Sequence, residues 1–208
     1  TIDFTDLTDE FTFNGEAHTI TLDVTKPTSG EKIYYSKSEE LTESNYTVAG
    51  FTDKPSRTDA GLTTVYYYIV ADNYNDISGN STISIDKKAV TIKPQDASKT
   101  YDGIALTSNT AEVTAGSLVS GHKATITTTG TITNVGSVDN EIATVVIKDA
   151  SDNDVTANYE VTKATGKLTI TAEGDATLDI TLGYTEVEYD GTAKEPSVKV
   201  EVDGKELA

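Results

Sequence analysis

The chain has 208 residues, with 34 Asp and Glu against 16 Lys and Arg, a net charge of −18, and no cysteine or tryptophan. That charge argues against nucleic acid, whose binders present basic surfaces, and against direct docking on an anionic membrane. Without cysteine there is no disulfide, no thiolate metal site and no thiol nucleophile.

The N-terminal stretch places apolar Ile2 and Phe4 two positions apart, and the first turn signal comes at Phe13-Asn14-Gly15. Asn-Gly and Asp-Gly are strong hairpin signals, because Asn, Asp and Gly tolerate a left-handed backbone. Residues 18–24 alternate, with Ile20, Leu22 and Val24 on one face, as a half-buried strand requires. Pro27-Thr28-Ser29-Gly30 reads as a turn, residues 32–35 as a strand and the acidic stretch 38–44 as a loop, with one helical turn at Glu39-Glu40-Leu41 as the alternative. Residues 63–70 form the strongest strand signal, with Tyr66 and Tyr68 on one face and Val65, Tyr67 and Ile69 on the other. Asn73-Tyr74 opens a turn region, and residues 81–85 close the segment.

The pattern then starts again. Ala89-Val90-Thr91-Ile92 aligns on Thr1-Ile2-Asp3-Phe4, and Tyr101-Asp102-Gly103 lies 88 positions after Phe13-Asn14-Gly15. Thr133-Asn134-Val135-Gly136 parallels Thr58-Asp59-Ala60-Gly61, and Asn158-Tyr159 parallels Asn73-Tyr74. Residues 123–128, 131–133 and 142–147 are rich in Thr, Val and Ile, which suit a pleated sheet. A third start comes at Thr177-Leu178-Asp179-Ile180, and its turn, Tyr189-Asp190-Gly191, lies 88 positions after Tyr101-Asp102-Gly103. Residues 197–202 alternate, and Asp203-Gly204 is a further hairpin signal.

Self-similarity at this period fits one small globular domain per copy, not a solenoid. The chain divides into a first repeat over 1–86, a second over 87–174 and an incomplete third over 175–208. Short strands, frequent turns and no sustained helical period predict an all-β fold, with an antiparallel β-sandwich in each complete repeat. No apolar run is long enough to span a membrane as a helix. The sequence reads as a piece of a longer protein, with targeting and anchoring signals elsewhere. The third repeat lacks strands to complete its sheets. Its apolar face at Val198, Val200 and Val202 is therefore expected to lean on the second repeat or on another chain.

Ser98-Lys99-Thr100-Tyr101-Asp102-Gly103, residues 116–121, Asn134-Val135-Gly136, residues 154–160 and residues 166–170 together resemble the YDG or MBG repeat domains. These stand in tandem in large secreted and surface proteins of bacteria, adhesins among them. The first repeat resembles the same group more loosely, through its Tyr-rich strand and Asn73-Tyr74. The resemblance implies tandem immunoglobulin-like modules, an extracellular or cell-surface location, neighbouring repeats as partners and no shared catalytic residues. A non-catalytic stalk or adhesive segment is the function it implies. An accessory region of a secreted enzyme is the alternative that keeps chemistry outside this chain.

Few residues invite chemistry. His18 is replaced by Leu106 and Lys194 in the aligned repeats, and His122 comes after Gly121 in a turn, so both read as surface histidines. No cofactor is expected, and no enzyme activity. Asp149, Asp152 and Asp154, with Asn153, offer clustered oxygens of the kind Ca²⁺ takes, but without the EF-hand spacing; a polar turn is the reading preferred. Tyr34, Tyr35, Tyr66 and Tyr68 form the candidate face for a host or extracellular glycan or protein. Some of them are expected in the core instead.

Overall fold

The structure, a computed structural model, describes residues 1–174, 177–202 and 204–206. Asp175, with which the third repeat opens in the sequence, and Asp203, Leu207 and Ala208 lie outside the described residues.

The first segment carries β1 (Asp3–Asp6), β2 (Glu10–Thr12), β3 (His18–Thr19), β4 (Leu22–Lys26), β5 (Lys32–Ser36), the one-turn helix α1 (Tyr46–Ala49), β6 (Ser56–Arg57), β7 (Gly61–Val70) and β8 (Ile77–Asp86). One sheet has the order β2-β8-β7-β5. Its strand β2 runs parallel to β8, and the other pairs are antiparallel. β1 with β4 and β3 with β6 make the facing layer. The alternation of β7 works as the sequence dictates: Val65, Tyr67 and Ile69 are buried, together with Ile20, Tyr35, Ile83 and Ile85. The stretch read as one strand over 18–24 is two strands, with buried Ile20 between them.

The second segment carries β9 (Lys88–Pro94), β10 (Ala97–Thr100), β11 (Ala111–Gly116), β12 (Lys123–Thr128), β13 (Gly136–Asn140), β14 (Ile142–Lys148), β15 (Tyr159–Lys163) and β16 (Gly166–Thr171). Its pairings carry the same register as the first. Glu10 opposite Ser84 becomes Ser98 opposite Thr169, and Lys32 opposite Val70 becomes Lys123 opposite Lys148. His18 opposite Arg57 becomes the isolated bridge of Leu106 with Ile132, which is all that remains of the strand expected over 131–133. The bulge between β1 and β4 recurs between β9 and β11.

Two differences separate the segments. The unbroken β7 is split into β13, which pairs with β16, and β14, which pairs with β12. The break sits at Asn140, which is fully buried and turned to the backbone: Nδ2 donates to Ser108 O at 2.8 Å, and Oδ1 accepts from Gly130 N at 3.1 Å. β15 also leaves for the other sheet and runs parallel to β9, whereas the matching part of the first segment continues straight into the long β8.

The repeated turns are corners, not hairpins. Phe13 N donates to Asp86 O at 2.8 Å, and Tyr101 N donates to Thr171 O at 2.9 Å, so each aromatic extends a strand that runs parallel to its neighbour. Among the described residues, strand β2 then pairs only with β8, and β3 only with β6. A hairpin needs its two flanks to pair with each other; here the chain uses the turn to change sheets. All three turns share one geometry. The side chain of Asn14, Asp102 or Asp190 accepts the N–H two residues on, at 2.9, 2.9 and 3.0 Å, and the next residue, Gly, has φ of 83°, 75° and 84°.

The last segment holds β17 (Leu178–Leu182), β18 (Val198–Val202) and β19 (Lys205–Glu206) in one antiparallel ladder. β18 and β19 pair antiparallel, with Val202 opposite Lys205; Asp203 of the hairpin signal between them lies outside the described residues. The expected support from the second repeat is not found: among the described residues no ladder joins this segment to residues 88–171. Val198, Leu178 and Ile180 are exposed, and Val200 and Val202 are only half-buried. Three strands satisfy one another's backbone, but they cannot cover a face without a second layer.

Candidate functional site

The tyrosine face of the first segment is built on the β5–β7 ladder, where Tyr34 stands opposite Tyr68 and Tyr35 opposite Tyr67. Successive residues of a strand point to opposite sides, so Tyr35 goes to the core and Tyr34 and Tyr68 go outward. The structure therefore removes Tyr35 from the ligand-facing set; it is buried. Tyr66 is half-buried two residues along from Tyr68, opposite Ser36, and of the four candidate tyrosines Tyr34 alone lines the cleft beside this face. The residue that organises this face is Tyr46 of α1. Its ring stacks on Tyr68 at 4.6 Å and 12°, and meets Tyr34 edge-on at 4.9 Å. Tyr68 is thereby buried from outside, and its hydroxyl donates to Asp76 at 3.3 Å. Burial first, then the Asp76 carboxylate, raises the Tyr68 phenol above its ordinary value. Beside the rings lies an open cleft of about 390 Å³, lined by Lys32, Tyr34, Tyr46, Asp72 and Asp76.

The acidic turn at 149–154 serves itself. Asp149 accepts from the backbone of Ser151 and Asn153 and from Asn153 Nδ2, each at 2.9 Å. Asp154 accepts from Thr156 N at 2.9 Å, and Asp152, at φ 68°, pairs with Lys148. The hydrogen bonds from Asn153 and from Thr156 hold the carboxyls of Asp149 and Asp154 below the usual range. Among the described residues no three His, Cys, Asp or Glu side chains form a group that could hold a metal ion. Asp149, Asp152 and Asp154 are thus not gathered into one ligand set; each one closes a separate turn contact.

The histidines are not free surface groups. His18 stacks on Phe11 at 3.9 Å, and its Nε2 lies 3.0 Å from Asn14 Oδ1. His122 belongs to a joint between the two large segments that the sequence did not reveal. Phe13 is only 2% exposed, because its ring is seated in the second segment. It meets Tyr159 edge-on at 5.5 Å and His122 at 6.0 Å. The Tyr159 hydroxyl accepts Val119 N–H at 3.0 Å and faces His122 Nδ1 at 2.8 Å. The hydroxyl has a second lone pair and a proton, so which of the two groups donates in the contact with His122 is set by the imidazole tautomer. Gly15 closes over the same place: a Cβ there would lie 3.0 Å from Val119 Cγ1, on a backbone with φ of 83°.

A second grip lies beside the first. Asn158 is 5% exposed; its Oδ1 accepts Ala60 N–H at 2.8 Å, and its Nδ2 donates to Asp59 Oδ1 at 2.8 Å. The buried apolar cluster runs through the joint, from Tyr35 and Val65 by way of Phe13 to Tyr159 and Ile126. Only Lys87 separates β8 from β9. Two grips, a continuous apolar cluster and a one-residue connection together fix one segment against the other.

No protein-family model and no curated protein matches the chain. Among solved structures it is similar to the Bacteroides ovatus mixed-linkage glucan utilization locus protein SGBP-B in complex with a mixed-linkage heptasaccharide. The identity is 14% and the TM-score 0.27, over 80% of this chain and 47% of that one. It is also similar to PcdhgB3 EC1-4, at 8% identity and a TM-score of 0.26, over 94% of this chain and 56% of that one. The chain thus spans about half the length of these structures. Among the described residues no helix is long and apolar enough to cross a membrane.

Proposed function

We propose that the chain is a non-catalytic spacer from an extracellular, cell-surface protein of bacteria, built of YDG/MBG-type units set end to end. The observation that carries this reading is the joint: Phe13 and Asn158 are buried between two units linked by a single residue. A chain that had only to tether could use a flexible linker; burying an aromatic ring and a side-chain amide serves to hold a direction. The absence of native cysteine makes the test direct. Spin labels on Asp23→Cys and Ala143→Cys, both exposed positions, report the distance across the joint. A single narrow distance distribution is expected, broadening when Phe13→Ala is added. A wild-type distribution as broad as that of a flexible linker would sink the reading.

The cleft beside Tyr46 favours a second reading, a carbohydrate-binding face. Tyr34 and Tyr46 supply ring surface, and Lys32, Asp72 and Asp76 supply hydrogen-bonding groups around one opening. Titration calorimetry with soluble oligosaccharides is expected to show binding that Tyr46→Ala removes and Tyr66→Ala leaves. Binding by neither wild type nor variants would leave the aromatic trio as packing alone.

A further inference from the structure

The turn at the joint differs from the other two in one functional group. All three turns are capped by the side chain before the glycine, but positions 102 and 190 carry Asp and position 14 carries Asn. Asn14-Gly15 is the one Asn-Gly pair in the sequence. Asn14, Gly15 and Glu16 are exposed to water, while Phe13, just before them, is buried in the joint. An amide side chain followed by glycine can close a succinimide ring on its own backbone, because no Cβ shields the glycine nitrogen.

The turn holds the reacting groups together. Asn14 Oδ1 accepts the Glu16 N–H at 2.9 Å, so the carboxamide is folded over the Asn14–Gly15 peptide, whose nitrogen is the nucleophile. Among the described residues no hydrogen bond holds the Gly15 N–H. The Glu16 N–H also settles which amide atom is the oxygen. An amide oxygen offers only lone pairs to His18 Nε2, 3.0 Å away, so Nε2 is the donor there. Oδ1 therefore takes two hydrogen bonds, one from a backbone N–H and one from an imidazole N–H. Negative charge collects on that oxygen when a nucleophile adds to the amide carbon, and both donors strengthen as it does. Stacking on Phe11 at 3.9 Å keeps the imidazole in place.

We propose that Asn14 is a site of spontaneous deamidation, assisted by His18, and that the isoaspartyl product loosens the joint. Gly15 N attacks Asn14 Cγ, and the new N–C bond closes the succinimide. The Gly15 proton passes through water to Nδ2, the Cγ–Nδ2 bond breaks and ammonia leaves. Water then opens the ring at either carbonyl, and nothing is oxidised or reduced. Opening at Cγ gives aspartate at position 14. Opening at the backbone carbonyl gives isoaspartate, whose main chain runs through the side-chain carbons.

The two products fit this fold differently. Aspartate is accommodated: Asp102 and Asp190 cap the same turn, with the following glycine at φ of 75° and 84° beside 83° for Gly15. Isoaspartate adds a methylene to the main chain between Phe13 and Gly15, both of which the joint holds. Phe13 N is bonded to Asp86 O at 2.8 Å, and a Cβ on Gly15 would lie 3.0 Å from Val119 Cγ1. The other two turns resist the same chemistry. Lys194 stands four residues after Asp190, as His18 does after Asn14, and Lys99 pairs with Asp102. The lysine hydrogen bonds hold both carboxyls below the usual range, and a carboxylate is a poor target for a nucleophile. The chemistry at Asn14 is independent of the spacer reading; its mechanical consequence rests on the joint.

Ageing the full chain in neutral buffer at physiological temperature tests the proposal. Mass spectrometry of proteolytic peptides reports each Asn, and labelling by protein isoaspartyl methyltransferase counts isoaspartate. Asn14 is expected to convert faster than every other Asn, to a mixture of both products. His18→Phe keeps a ring on Phe11 but removes the donor, and should slow conversion about fivefold, the worth of one hydrogen bond. His18→Gln returns an N–H to about the same point and should restore most of the rate. Circular dichroism checks that the variants are folded. With the spin labels at positions 23 and 143, a broad component should grow in step with isoaspartate, and should not grow in Asn14→Asp. An Asn14 that stays an amide while a free peptide of residues 10–20 converts overturns the site, since the turn would then protect it. Equal rates in wild type and both His18 variants overturn the part given to His18. Isoaspartate accumulating under an unchanged narrow distance overturns the coupling to the joint. A distance already broad before ageing overturns the spacer reading and that coupling together, and leaves the mass readout to decide the site.

Discussion

Phe13→Ala is expected to destabilise the chain by about 3–5 kcal/mol, the range for removing a large buried aromatic ring. The loss falls on two places at once. The ring is part of the continuous apolar cluster, and it is the surface against which Tyr159 and His122 stand. Once it is gone, the cavity opens at the joint, where rotation of one unit against the other relieves it. Urea unfolding is therefore expected to change from one transition to two, with the first unit moving separately from the second. Tyr101→Ala is the control at the matching position. That ring is 41% exposed, and its removal should cost about 1 kcal/mol or less. Equal effects at the two positions would mean that Phe13 acts through its own turn, as Tyr101 does, and that the joint contributes nothing.

Asn158→Asp should be the most damaging conservative change on the other grip. The new carboxylate keeps an oxygen for Ala60 N–H but turns its second oxygen toward Asp59, where an N–H now donates. The new carboxylate is then buried at position 158 beside the exposed Asp59 carboxylate, at a cost of about 2 kcal/mol or more at neutral pH, most of it from burying the charge at 158. Burial and the neighbouring charge raise the carboxyl pKa in the folded chain, so the folded state binds the extra proton more readily than the unfolded one. The penalty is present above that raised pKa and shrinks as pH falls through it. Asn158→Ala, which loses both hydrogen bonds and adds no charge, should cost about 2 kcal/mol without that recovery in acid. Melting temperatures of the two variants, measured against wild type from neutral pH down to the carboxylate range, distinguish them. A penalty in Asn158→Asp that does not diminish in acid would show that Asp59 and residue 158 are not neighbours in solution.

The sequence carried the strands well wherever one face alone was buried. Val65, Tyr67 and Ile69 were legible as a core stripe because alternation is a local property of the chain. The Asn-Gly and Asp-Gly pairs were legible as turns, since they specify a backbone angle. They did not specify which sheet the chain enters after the turn, because that depends on which distant strand accepts the N–H of the aromatic before it. The joint was invisible for the same reason. Ala60 and Asn158 are 98 residues apart, and nothing near either one marks its partner. Tyr46 was hidden in a polar loop, since a four-residue helix is too short to show a helical period. The repeat itself hid a distinction: Phe13 and Tyr101 hold equivalent positions on the same backbone turn, yet one ring is buried and the other exposed because of what stands against them.

The parallel pairs have a mechanical meaning. In the second unit, β10, early in the chain, runs parallel to β16, at its end, and the first strand, β9, runs parallel to β15. Tension applied through the two ends of the unit draws the early strands one way and the closing strand the other, so that β10 slides along β16. The hydrogen bonds from Ala97 opposite Leu168 to Thr100 opposite Thr171 lie across that motion. They are loaded in shear and must give way together, whereas an antiparallel hairpin pulled from its open end peels one bond at a time. The first unit carries the same arrangement in β2 and β8. A filament of such units would bear a pull nearly rigidly up to a threshold, and then lengthen abruptly by one unit.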